Sequence, residues 1–265
     1  MKKILTIILA IVTSLVACFS LVGCGEKVLT VGYTNVEPLN YFDEDGKLIG
    51  FDTELAEKIF TDLGYTVIFK EIDWNEKYNE INANTIDVIW NGFTANCKDK
   101  DGIERADKVD FSYNYMVNAQ CIVRDASKPD LTDKAQFSEY KVAFEDGSAG
   151  ATFVAGIDGM RSAPCDNQMA ALMEVLSKTS DYAVVDYLLA KSVCGKGNFE
   201  SVVINQGIDI PIEYYAIGFK KGSDLTAKVN AKLVELSGEN GFIATLATKY
   251  NLDTQVITDF SDQVK

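Results

Sequence analysis

Ile81-Asn82-Ala83-Asn84-Thr85-Ile86-Asp87-Val88-Ile89-Trp90 decides how this chain is read. It runs from a helix end through a polar turn to an aspartate and then a short apolar strand. Leu176-Ser177-Lys178-Thr179-Ser180-Asp181-Tyr182-Ala183-Val184-Val185 follows the same plan. Two similar α/β lobes, each with its own central sheet, would repeat such a unit, although any βαβ unit has some of this likeness. Outward from these stretches, strand and helix signals alternate. Val28–Gly32, Thr66–Lys70, Ile86–Trp90, Lys141–Phe144 and Tyr182–Val185 read as strands. Asp52 can cap a helix with the apolar face Leu55, Ala56, Ile59, Phe60 and Leu63, stopped by Gly64. Trp74, Tyr78 and Ile81 share one helical face. Asn167–Ser177, Tyr187–Ser192, Leu225–Leu236 and Phe242–Tyr250 read as further helices. No low-complexity linker separates the halves, so short hinge strands must join them.

The N-terminus has the layout of an export signal. Lys2 and Lys3 precede an apolar stretch, Ile4–Val22, and Gly25-Glu26-Lys27 turns polar. Leu21-Val22-Gly23-Cys24 resembles the lipobox of bacterial lipoproteins. That implies a signal peptide over 1–23, cleavage before Cys24, diacylation of its thiol (palmitate or similar chains) and a tether over 24–27. Leu15-Val16-Ala17-Cys18 fits the pattern too, but cleavage there would leave Phe19–Val22 exposed. A plain transmembrane anchor is the alternative, though the stretch barely reaches spanning length.

Removing Lys2 and Lys3 with the leader leaves 23 basic against 39 acidic residues, a net charge of −16. Such a surface repels nucleic acid and anionic headgroups. With 47% apolar residues the chain still packs as a globule. The sequence contains no histidine, which removes the usual general base and the commonest metal ligand. Cys97, Cys121, Cys165 and Cys194 have no zinc-site spacing, so neither metal nor cofactor is expected. Export permits disulfides, and Cys165–Cys194 is the preferred pair if one forms, with free thiols the alternative.

Gly50-Phe51-Asp52, Ile86–Thr94, Glu104-Arg105 and Asp110-Phe111-Ser112 together resemble the polar amino acid-binding proteins of ABC importers, the bacterial extracellular solute-binding proteins of family 3. The family includes histidine-, glutamine- and lysine/arginine/ornithine-binding proteins, and the likeness runs from about Val28 to Tyr250. It implies an α/β, two-lobed periplasmic-binding-protein fold (type II) with two hinge crossovers. Lobe 1 would comprise 28–117 and 215–265, and lobe 2 would comprise 118–214. The implied ligand is a free L-amino acid clamped between the lobes of a monomer. The implied partner is an importer permease at the extracytoplasmic face of the cell membrane.

The resemblance also implies roles for residues. The Gly92 carbonyl and Thr94 hydroxyl accept from the ligand ammonium, and the Thr94 N–H donates to the carboxylate. Arg105 stands six residues before Phe111-Ser112 and forks onto the carboxylate. A planar guanidinium suits a carboxylate in a way lysine does not. Ser148 and Ala149 present backbone N–H groups at a helix start, and Asp186 neutralises the ammonium or caps the following helix. Trp74 forms an aromatic wall, with Glu145 and Glu37 near the ligand side chain. With carboxylates and no second cation among these positions, neutral polar ligands such as glutamine or cystine rank first, basic ones second and acidic ones last. The chain departs from the family in a lengthened stretch, Ala95–Glu104, in Asn114 where a proline is usual, and in a shorter first-lobe loop. Rival readings are a sensory subunit without an importer, or an enzyme, since dehydratases and murein lyases share the fold. No residue is assigned a catalytic role.

Overall fold

Asp87 and Asp181 do the same work in two different sheets. The Asp87 N–H donates to Thr30 O (2.8 Å), and Thr30 N–H returns to Asp87 Oδ2 (2.8 Å). The Asp181 N–H donates to Lys141 O (2.8 Å), and Lys141 N–H returns to Asp181 Oδ2 (2.9 Å). Three residues earlier, Asn84 and Lys178 both adopt left-handed backbone, with φ of 57° and 61°. The likeness between the two stretches is therefore structural. In each, a helix ends, the chain reverses, and an aspartate clips the incoming strand to the neighbouring strand, at Thr30 of the first sheet and Lys141 of the second.

The computed structural model describes residues 27–264. The leader, Cys24 and most of the proposed tether lie outside them. The first sheet has the order β4 (Tyr65–Glu71), β1 (Lys27–Tyr33), β5 (Val88–Ile89), β13 (Gly218–Phe219), β6 (Asp110–Phe111). β1 runs parallel to β4 and β5, and β13 runs antiparallel to β5 and β6. A hairpin, β2 (Tyr41–Phe42) with β3 (Leu48–Ile49), leads into helix α1 (Phe51–Asp62). Helix α2 (Lys77–Asn82) and the short α3 (Arg105–Lys108) complete the first part of this lobe. Helices α7 (Leu225–Glu235) and α8 (Phe242–Lys249) close it. Leu55, Ile59 and Phe60 of α1 pack with Val31, Val88, Val229, Leu233 and Leu246 into its main core. Burial of such side chains is worth roughly 1.5–3 kcal/mol each.

The second sheet has the order β11 (Val202–Ile204), β7 (Met116–Asp125), β10 (Tyr182–Asp186), β8 (Lys141–Glu145), β9 (Arg161–Cys165). Helices α4 (Ala149–Val154), α5 (Gln168–Leu176) and α6 (Tyr187–Val193) pack around it. β12 (Ile212–Tyr215) pairs antiparallel with the first half of β7, matching Ile212 to Ala119 and Tyr215 to Met116. These two strands carry the chain out of the first lobe and back.

Two expectations are corrected. Asp52 does not cap α1. Gly50 occupies the cap position, and the Asp52 side chain turns inward, fully buried, to accept from Gly92 N–H (3.0 Å) and Tyr115 Oη–H (2.9 Å). Cys165 and Cys194 do not form a disulfide, and Cys97, Cys121, Cys165 and Cys194 are all free. Cys165 ends edge strand β9, separated from β7 by β8 and β10, whereas Cys194 follows α6, which packs on β7. Strands spaced about 4.8 Å apart put that pair beyond the ~7 Å limit for a bridge.

Candidate functional site

The cleft between the sheets collects side chains from segments far apart in the chain. Trp74, Gly92, Thr94, Arg105, Glu145, Ser148, Ala149 and Asp186 line one small cavity, joined by Asn91 and Gln168. Glu37 is not among them. It sits in a separate groove beside Leu188, Lys191 and Tyr250, because the chain folds back after Thr34 through Val36 and Asn40. The cavity measures about 10 Å³, near the room one water needs and too small for an amino acid as it stands.

Gly92 follows β5 with φ +54°, and a Cβ there would lie 2.9 Å from both Leu39 Cδ1 and Tyr215 Cε2. Only glycine fits this turn, which brings Thr94 to the cleft. Trp74, buried after β4, packs edge-on against Phe93 with ring centroids 5.2 Å apart.

Arg105 opens α3 and is 1% exposed. Its Nη1 donates to Thr94 O (3.2 Å) and its Nη2 donates across the cleft to Gly147 O (3.3 Å). A guanidinium has five N–H donors, so capacity remains for a carboxylate, and Nε has no protein partner. Phe93 lies under the guanidinium, 5.2 Å from its ring centroid. The Ala95–Glu104 stretch preceding Arg105 is a closed turn. Asp99 accepts from Asp101 and Ile103 N–H and pairs with Lys108, while Asn96 bonds Ile212 and Tyr214. Lys98 pairs with Glu104 and Lys100 reaches Asn75, so both loop lysines have partners outside the cavity.

In the second lobe Ser148 caps α4, its Oγ accepting from Ala151 N–H (3.0 Å). Asp186 ends β10, and its carboxylate does not cap α6. Oδ1 accepts from Gln120 (2.6 Å) and Asn118 (3.2 Å), and Oδ2 accepts from Gln168 (2.6 Å). Gln168 also receives the Asp186 N–H (2.7 Å), a two-point grip that fixes the aspartate. Burial raises the Asp186 pKa against these bonds. Burial, then the charge of Asp186, pushes Glu145 up to about 8, and its Oε1 has no protein partner.

Several members of this cluster were not expected. Lys77 is 2% exposed and donates to Trp74 O (2.8 Å) and Gly147 O (3.1 Å), with the Trp74 and Tyr78 rings 4.7 and 4.8 Å away. The cleft therefore holds a second cation, contrary to the count from sequence. Burial, then Arg105, pulls its pKa well down. Glu213, Gln120, Gln168 and Asn91 were also missed. A polar residue among the apolar neighbours Ala119, Cys121, Ile122 and Val123 was the signal available for Gln120; none marked the others.

Residues 29–253 match the family model for bacterial extracellular solute-binding proteins, family 3. The L-cystine-binding protein TcyA of Bacillus subtilis (strain 168) is 29% identical over 240 residues, 85% of this chain and 81% of that protein. The arginine-binding extracellular protein ArtP of the same organism is 26% identical over 262 residues, 94% of this chain and 98% of that protein. Among solved structures, an ancestral arginine-binding protein bound to glutamine superposes with a TM-score of 0.77 at 28% identity, covering 86% of this chain and 99% of that one. The fold is thus the two-lobed α/β periplasmic-binding-protein fold, and the chain belongs to the bacterial extracellular solute-binding proteins, family 3.

Proposed function

We propose that the protein captures a free L-amino acid outside the cytoplasm and delivers it to an ABC importer. The observation that carries this reading is one cavity lined by buried Arg105 and buried Asp186, the charge pattern that complements a zwitterion. Arg105 takes the α-carboxylate, and Asp186 with the Thr94 hydroxyl and Gly92 carbonyl takes the α-ammonium. Ser148 and Ala149 N–H groups add donors, and Trp74 walls the side chain. Opening admits the ligand, and hinge closure excludes water and strengthens each polar contact. Lipidation at Cys24 holds the protein at the membrane, two acyl chains being the stable form of such an anchor.

Glu145 leaves a carboxyl group at the side-chain end of the cleft, and Lys77 is already engaged by two carbonyls. Neutral polar ligands such as glutamine or cystine therefore rank first, basic ones second and acidic ones last. Relatives named for cystine and arginine fall in the first two of these classes. A thermal-shift screen of the twenty amino acids with cystine and ornithine tests the reading, because a ligand bound only by the native state raises its Tm. A shift with a neutral polar or basic amino acid, lost in Arg105→Ala, is expected. No shift with any of them would overturn it.

A further inference from the structure

One carboxylate at the cleft has no part in the reading above. Glu213 stands on β12, the strand returning to lobe 1, opposite Asn118 of β7. Its Oε2 accepts from Thr94 Oγ1 (3.2 Å) and from Gln120 Nε2 (3.0 Å). The same Gln120 nitrogen donates to Asp186 Oδ1 (2.6 Å). The two acids therefore share one amide, with oxygens no farther apart than those two bonds laid end to end.

Two consequences follow from this geometry. A hydroxyl has one proton and two lone pairs. With its proton directed to Glu213, Thr94 Oγ1 turns only lone pairs toward the cavity, which suits an ammonium and repels a carboxylate. Second, two carboxylates sharing one amide in a dry site keep a proton between them unless a cation joins them. The charged and titratable groups facing the pair are Arg105 of α3, Glu145 of β8, Cys121 of β7, Tyr215 of β12 and Cys97 of the loop before α3. Arg105 favours the ionised forms, and Glu145 and buried Tyr215 do not supply a cation. Burial, then Asp186, pushes Glu213 up to about 7.

We propose that Glu213 is a positioning residue of the ammonium subsite, orienting Thr94 as an acceptor and, with Asp186, giving up a shared proton to solvent when the ligand ammonium arrives. This rests on the amino acid reading above. Ligand capture then releases a proton, and affinity rises with pH through the range where the free pair still holds it.

Calorimetric titration with L-glutamine and L-arginine, in buffers of different ionisation enthalpy, reads that proton directly. Near pH 6 the wild type should release close to one proton per ligand, its Kd falling about tenfold per pH unit, and above about pH 8 neither effect should remain. Glu213→Gln keeps an acceptor for the Thr94 hydroxyl but cannot ionise, so proton release should vanish and the pH profile flatten. Glu213→Ala should lose affinity further at every pH. Wild-type binding without proton release, or release that persists in Glu213→Gln, would overturn the inference while leaving the amino acid reading intact. Absence of binding by every amino acid tried would instead overturn that reading, and this inference with it.

Discussion

Arg105 of the first lobe donates through Nη2 to the main-chain carbonyl of Gly147 in the second, at 3.3 Å. Lys77 donates to the same oxygen at 3.1 Å. One carbonyl thus carries two cations from separate segments of the opposite lobe. Beside it, Thr152 Oγ1 donates to Lys98 O across the same seam (3.2 Å). These contacts exist only while the lobes are together.

Arg105→Ala should leave the fold intact and weaken amino acid binding by at least ~3 kcal/mol, the usual cost of leaving a buried charge unpaired. Arg105→Lys should also lose most of the affinity, since a single ammonium cannot reach Thr94 O, Gly147 O and a carboxylate in the guanidinium's plane. Titration calorimetry that returned wild-type affinity for either variant would remove Arg105 from the carboxylate subsite.

Gly147→Ala separates two effects. Its φ of +69° strains an alanine in open and closed forms alike, lowering Tm. Its Cβ would lie 3.2 Å from Asn75 Cα only when the lobes are closed. Ligand binding should therefore weaken by a further ~1 kcal/mol or more, beyond the loss of stability. Unchanged affinity together with a lowered Tm would mean that the closed form accommodates the methyl.

Asp52 makes stability fall as pH rises. Burial pushes its pKa from 3.8 up to about 7, against the bonds from Gly92 and Tyr115. The folded protein therefore holds a proton that the unfolded chain releases. This contribution is complete below the unfolded value and is lost as pH climbs through about 7, at up to ~1.4 kcal/mol per pH unit. Asp52→Asn keeps an oxygen for both donors, so the slope of denaturant-derived stability between those pH values should shrink by up to that amount. An identical slope in wild type and variant would contradict the assignment.

Mass spectrometry should find Cys97, Cys121, Cys165 and Cys194 alkylated after denaturation without reductant. In native protein Cys121 should be protected, since it is buried and its thiol pKa is raised well above the ordinary value by burial. A Cys165–Cys194 cross-linked peptide would contradict the arrangement of β9 and α6.

The lobes were legible because apolar periodicity and two aspartates at matching turns are local signals. Ser148 and Asp186 were placed by the family resemblance, and in the structure Ser148 caps α4 while Asp186 ends β10. Lys77 was not, because on α2 it looks like one more solvent-facing charge; only the approach of Gly147 from the other lobe buries it. Glu37 misled because its loop is short in sequence, yet its chain reversal carries it to the far groove. Asp52 looked like a cap, since caps are read from neighbours along the chain, whereas its partners Gly92 and Tyr115 lie 40 and 63 residues away.

The pairing of β7 with β12 restricts how the lobes can move. Two strands tied by ladder bonds at Met116–Tyr215 through Ala119–Ile212 resist stretching and sliding far more than twisting. A third segment joins them, with Val117 N–H donating to Gln255 O and Ile257 N–H to Tyr115 O. Under the proposed hinge closure the joint would act like a torsion bar. The cleft faces would then meet in one register, with Arg105 and Lys77 arriving together at Gly147. Gln255 and Ile257 would belong to the machinery of that movement as much as the cleft does.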